Sequence, residues 1–144
     1  MWADTLLSLE RGHLQRLAIW AVTCVLGGTA LLAWLTVRRA TAPMLTHFGI
    51  QTAAWGAVNG AIAAWAWQGL ALRDFASAQH LVNILWLNTG LDVGYAAVGA
   101  TMGILAWRWG PKPGVLGAGV AVVVQGLALA LLDLRLILVI GPLQ

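Results

Sequence analysis

The chain has 144 residues, 60% of them hydrophobic and only 9% charged, with a net charge of +3. A charged fraction so far below the roughly 25% of soluble domains excludes a water-soluble globular protein of this size, because too little polar surface exists to cover the apolar part. The basic balance is no nucleic-acid footprint. Arg11, Arg16, Arg38, Arg39, Arg73, Arg108, Lys112 and Arg135 are scattered among the ends of apolar runs, where basic side chains anchor helices at lipid headgroups.

Residues 1–16 predict a short interfacial helix. Trp2, Leu6, Leu9, His13 and Leu17 recur at three- and four-residue steps, and Asp4 is placed to cap its start. The alternative, of equal weight, is that this segment extends the first membrane pass. The passes themselves are predicted over 17–37, 48–72, 81–107 and 115–140, broken by charge only at Asp92, Asp133 and Arg135. An apolar run of about 20 residues spans a hydrocarbon core of about 30 Å, and each run reaches that length. The first run is too long for a signal-peptide core and is expected to be retained. The joints are short: Arg38 and Arg39 before Pro43, Arg73 and Asp74, then Arg108 to Pro113. Short joints make successive helices antiparallel. The expected fold is all-α: a four-pass, up-down-up-down transmembrane bundle forming a single integral membrane domain.

Basic residues divide equally between the two faces, four against four. The first and third loops are short and carry no acid, which places them on the cytoplasmic side and both termini on the non-cytoplasmic side of a bacterial inner (cytoplasmic or intracytoplasmic) membrane. The nine tryptophans fit as headgroup anchors: Trp20 and Trp34 bracketing the first pass, Trp65 and Trp67 ending the second, Trp86 beginning the third, Trp107 and Trp109 ending it. Trp55 lies deeper. Cys24, the lone cysteine, reads as a small buried apolar residue.

One constellation stands out. Asn59, Asp92 and Gln125 sit near the middles of the second, third and fourth passes, 33 residues apart in each step. In an antiparallel bundle they share a depth, where lipid offers no hydrogen-bond partners, so they are expected to point inward with the two amides donating to Asp92. Asn88 and Tyr95 extend the face of Asp92 by one turn each way. Gly99 and Gly103 continue it, and Gly90 and Gly94, with Gly56 and Gly60, repeat a small-residue spacing that lets helices approach closely. These features predict the third pass as the centre of the bundle. The favoured reading of the layer is a clamp fixing helix register; the competing one is a proton or cation site at Asp92. On the second pass His47, Gln51, Trp55 and Asn59 form a polar stripe, read first as interhelical hydrogen bonding.

His13, His47 and His80, with Trp55, are candidate contacts for lipid or for a pigment such as bacteriochlorophyll or carotenoid. None has a second ligand at metal spacing, so no metal or cofactor of the chain's own is expected. No Gly-rich phosphate loop, HExxH or GxSxG occurs, and Ser8 and Ser77 lack a His/Asp arrangement. An enzyme is not expected.

The segments HFGIQTAAWGAVNG (47–60) and LNTGLDVGY (87–95) resemble an uncharacterised family of small bacterial four-helix integral membrane proteins over the last three passes. The resemblance implies the fold and the polar layer, and no activity. The expected role is a non-catalytic accessory subunit of a larger bacterial membrane complex, packing against other integral membrane subunits, lipids or pigments, with no nucleic-acid partner. A photosynthetic reaction centre–light-harvesting complex is the sharpest form of that expectation. The alternative is a small proton- or ion-coupled transporter using Asp92.

Overall fold

A computed structural model describes residues 2–141 and folds them into four helices: α1 (Trp2–Val37), α2 (Pro43–Gln68), α3 (Phe75–Arg108) and α4 (Pro113–Ile140). The expected interfacial helix is the start of α1. Nothing between residues 2 and 37 breaks it, since neither proline nor a charge run intervenes, and at 1.5 Å per residue it is about 54 Å long. Proline marks helix starts rather than loop centres: Pro43 and Pro113 open α2 and α4, where the missing N–H has no intrahelical partner to lose. At the start of α3, the Asp74 carboxylate accepts from the Ser77 amide at 2.8 Å and from the Ser77 hydroxyl at 2.6 Å. These bonds hold the Asp74 carboxyl below the usual carboxylate range, so the cap persists above the ordinary value and fades as pH falls through the lowered one. The end of α1 turns through Arg39 at φ 48°, with Ala40 N–H reaching Leu35 carbonyl at 3.0 Å and Arg39 N–H reaching Thr36 carbonyl at 3.1 Å. That double bond pattern is a Schellman ending with arginine where glycine is usual.

Buried positions recur every seven residues: Leu14, Ala21, Gly28 and Leu35 on α1; Gly49, Gly56 and Ala63 on α2; Ala78, Leu85, Asp92, Gly99 and Ala106 on α3; Gly119, Gly126, Asp133 and Ile140 on α4. A repeat of seven keeps each helix on one seam against its neighbour, as in left-handed bundles. The glycines set the closeness of the seams. A Cβ on Gly28 would lie 2.6 Å from Gly49 carbonyl oxygen, one on Gly56 2.8 Å from Ala21 carbonyl oxygen, and one on Gly99 2.6 Å from Gly119 carbonyl oxygen. Moving back along one helix moves forward along the next, Gly28 meeting Gly49 and Ala21 meeting Gly56, Gly99 meeting Gly119 and Asp92 meeting Gly126, so α1/α2 and α3/α4 are antiparallel.

The centre of the bundle is α4, not the third helix as its glycines suggested. It packs against α3, α2 and α1, and 44% of its apolar window is buried against 17% for α1 and for α3. Gly117, Gly119 and Gly126 on α4 allow this by meeting the backbones of Met44, Gly99 and Asp92. Gly90 and Gly94 on α3 face open space, with nothing within 4 Å of a Cβ built there. Gly60 and Gly103 make only ordinary contacts, at 3.7 Å to Ala21 and 3.5 Å to Leu116.

Three helices, α1, α3 and α4, are long and apolar enough to cross a membrane. Large apolar side chains cover the outside, Val37, Trp65, Trp107 and Trp109 being more than three-quarters exposed. Trp34, Trp65, Trp67, Trp107 and Trp109 stand exposed near helix ends as expected. Trp20 does not: because α1 starts fifteen residues earlier than the predicted pass, this ring falls halfway along the helix and turns inward.

Candidate functional site: a buried polar column

Six polar or charged side chains are buried among the described residues: Glu10, His13, Asn59, Asp92, Gln125 and Asp133. On α1 the face that carries Leu6, Leu14, Leu17, Ala21 and Cys24 into the core also carries Glu10 and His13, so helical periodicity alone buries them. Near the end of the bundle that holds both termini, Arg73 from the α2–α3 loop grips Glu10 with two bonds, Nε to Oε2 at 2.9 Å and Nη2 to Oε1 at 2.6 Å. This fork geometry is the strong form of an ion pair, and the Glu10 side chain is only 9% exposed. The Glu10 bonds raise Arg73 further above its already high ordinary value. One turn along, His13 Nε2 lies 3.2 Å from Asp133 Oδ1 on α4. Beside these pairs Leu6, Ala78, Leu85, Leu136, Ile137 and Ile140 form the apolar core.

Halfway along the helices, Gln125 gathers the neutral groups. Its Oε1 accepts from Trp20 Nε1 at 3.0 Å and from Asn59 Nδ2 at 3.5 Å, and its Nε2 donates to Cys24 Sγ at 3.1 Å. Three helices, α1, α2 and α4, are thus tied at one level. Asp92 sits at that level too, since its backbone carbonyl packs on Gly126. The expected donation from the amides to its carboxyl is not made: among the described residues no hydrogen bond reaches the Asp92 carboxylate, although the residue is 8% exposed. The clamp is therefore built on Gln125, with Asp92 beside it.

The other predicted positions divide. Asn88 is exposed, and Tyr95 is 43% exposed with its ring edge-on to Trp55 of α2, centroids 5.3 Å apart. Both miss the interior because α3 packs chiefly on α4 and they stand off the buried line of Leu85, Asp92, Ala96 and Gly99. Along the α2 stripe only Asn59 bonds another helix. His47 is exposed and pairs its Nδ1 with the carbonyl of Pro43 at 2.9 Å, and His80 is exposed. His13, offered as a pigment or lipid contact, is instead occupied by Asp133 inside the protein. Glu10, Arg73, Asp133, Trp20 and Cys24 belong to the column and were not among the predicted site residues.

Replacing Gln125 with leucine is expected to lower stability by about 1–3 kcal/mol, because Trp20 N–H and the Asn59 amide are then buried without an acceptor. Thermal unfolding in detergent followed by tryptophan emission reads it, and Trp20 emission should shift as its bond is lost.

The arrangement defines a class: a four-helix antiparallel bundle with an apolar exterior and a one-sided buried polar column. The chain belongs to a family of unknown function, DUF6992, which it matches over residues 16–134. That stretch contains Asn59, Arg73, Asp92, Gln125 and Asp133, and begins after Glu10 and His13. No curated protein and no solved structure matches the chain.

Proposed function

We propose that the chain is a non-catalytic, four-pass integral membrane subunit that packs α3 against transmembrane helices of a larger bacterial membrane assembly. The fourth pass is α2. It has 26 residues and no charged side chain, and it lies against both α1 and α4. If those two cross the bilayer, α2 crosses beside them, at a length of about 39 Å.

The observation that carries the reading is Asn88. It lies near the middle of α3, exposed, on a helix whose only buried line faces α4. Lipid cannot pair with an amide at that depth, whereas a second helix can. Gly90 and Gly94 leave open space on the side of α3 turned away from α4, across the helix from Asn88, and small residues are what close helix contacts in membranes use. The termini and the α2–α3 loop share one end of the bundle, which on the unopposed basic charge of the other two loops is the non-cytoplasmic one.

Purification from native membranes in mild detergent tests the proposal. The chain should arrive with other integral membrane subunits at fixed stoichiometry, and Asn88→Leu or Gly94→Leu should release it from them while its own melting transition stays cooperative. Recovery of the chain alone, as a monomer or a homo-oligomer, would overturn it.

A further inference from the structure

Arg16 is the basic residue of α1 that is neither exposed, as Arg11 is, nor paired, as His13 is. It is half-buried on the wall between α1 and α4, and its guanidinium makes no hydrogen bond or ion pair among the described residues. The buried acids at this end are taken, Glu10 by Arg73 and Asp133 by His13. The Arg16 stem runs back along α1, setting Nη1 3.7 Å and Nη2 3.8 Å from where a Cβ on Gly12 would stand. The charge is thereby carried one turn towards the terminus-bearing end, the direction in which a long basic side chain reaches for headgroups. A guanidinium offers five N–H donors in a planar fork that suits phosphate, and here all of them are unspent.

Inward of that charge a slot of about 280 Å³ runs between α1 and α4, lined by Arg16, Ile19, Trp20, Thr23, Ala128 and Leu132. The two helices are antiparallel here, His13 meeting Asp133 and Trp20 meeting Gln125. Arg16 and Leu132 therefore stand at the outer end of the slot, with Thr23 and Ala128 at its inner end. Its other polar groups are spent inside the protein: Trp20 Nε1 donates to Gln125 at 3.0 Å, and Thr23 Oγ1 donates to the Ile19 carbonyl at 2.8 Å. What remains is hydrocarbon, with Ile19 66% exposed on the rim. The slot is apolar along its length and cationic at its outer end.

We propose that this slot seats one acyl chain of an anionic phospholipid, whose phosphate pairs with Arg16 in the leaflet nearest the two termini. The polarity runs in the order such a lipid has, anion outermost and hydrocarbon inward. The volume lies just under that of pockets enclosing a whole small molecule, about 300–1,000 Å³, and the open rim leaves the second chain among bulk lipid. A transmembrane helix, about 10–12 Å across, would ride on Ile19 without entering, and an apolar one would leave the guanidinium unanswered. Lipid tails are as apolar as the walls, so the slot supplies contact and Arg16 supplies the choice of headgroup. The site rests on the membrane-spanning part of the proposed function and needs no larger assembly, so it stands or falls separately from the packing of α3.

Native mass spectrometry of the full chain, released from detergent micelles carrying phosphatidylglycerol or phosphatidylcholine with identical acyl chains, tests it. Both lipids have a phosphate, but the second offsets it with an ammonium. The chain should retain one phosphatidylglycerol, held about five- to tenfold more tightly than phosphatidylcholine, the scale of one arginine facing an anionic headgroup. Arg16→Gln should erase that preference. Ala128→Leu, which fills the slot from α4, should lower retention of both lipids and reads the slot independently of the charge. Arg11→Gln, an exposed cation on the same helix, should leave the preference unchanged. The proposal is overturned if the wild-type chain holds the two lipids equally, or if Arg11→Gln lowers the preference as far as Arg16→Gln, which would mark diffuse surface charge. Displacement of phosphatidylglycerol by equimolar inorganic phosphate would overturn it in favour of a plain anion site, and crosslinking of Ile19→Cys to another subunit in native membranes in favour of a protein helix.

Discussion

Alanine at Gly99 and alanine at Gly90 are expected to change stability in opposite directions, although the two glycines lie on one helix nine residues apart. At Gly99 the added methyl would stand 2.6 Å from the Gly119 carbonyl oxygen, 2.9 Å from the Val123 nitrogen and 3.1 Å from the Val122 Cβ. Two of those atoms are backbone and cannot swing aside, so α3 must move off α4 along the seam that also places Asp92 against Gly126. Overpacking of that kind costs about 1–3 kcal/mol, and Gly99→Leu should prevent the two helices from docking at all. At Gly90 and Gly94 a methyl meets nothing within 4 Å. There the better helix propensity of alanine is worth up to about 1 kcal/mol per site. Denaturation in detergent measured by circular dichroism separates the cases. A loss at Gly90 as large as at Gly99 would mean that the α3 face is covered by the chain itself, contrary to the packing described.

The architecture was largely legible because its cause is local. Uncharged runs of spanning length, joined by a few residues, leave an antiparallel bundle as the one arrangement available. The helix ends were less so, for two reasons. Proline at 43 and 113 stands in the predicted joints, where its real effect is to start a helix, and the segment holding Glu10, Arg11 and Arg16 reads equally as an interfacial helix or as an extension of the first pass, which is what α1 makes of it, with Glu10 inside. At the site, residues equally spaced along the passes come to one level of the bundle, Asn59 bonding Gln125 and Asp92 packing its carbonyl on Gly126. What failed was the step from depth to direction. Three- and four-residue steps from Asp92 reach Asn88, Tyr95, Ala96 and Gly99 alike, but a seam with a single neighbour keeps only those on one line, Ala96 and Gly99. The ion pairs left one signal that went unused. Glu10 and His13 fall on the same stripe as Leu6, Leu14 and Leu17, and a charge on an apolar stripe asks for a buried partner. Arg73 and Asp133 could be named as those partners only once α4 was known to be central.

Removing Arg73 should be among the most damaging single changes to this chain, and removing its partner as well should undo much of the harm. In Arg73→Ala the Glu10 carboxylate stays in a pocket where its side chain is 9% exposed, with both of its bonds gone. An uncompensated buried charge of this kind costs about 3–5 kcal/mol, whereas an exposed pair would be worth about 1 kcal/mol or less. The second variant, Glu10→Leu with Arg73→Met, removes both charges and keeps apolar volume beside Leu6 and Leu14, so most of the loss should be recovered. A double-mutant cycle in detergent, read by thermal melting, gives the coupling directly. Equal and additive losses for the two single changes would show that water reaches Glu10 freely.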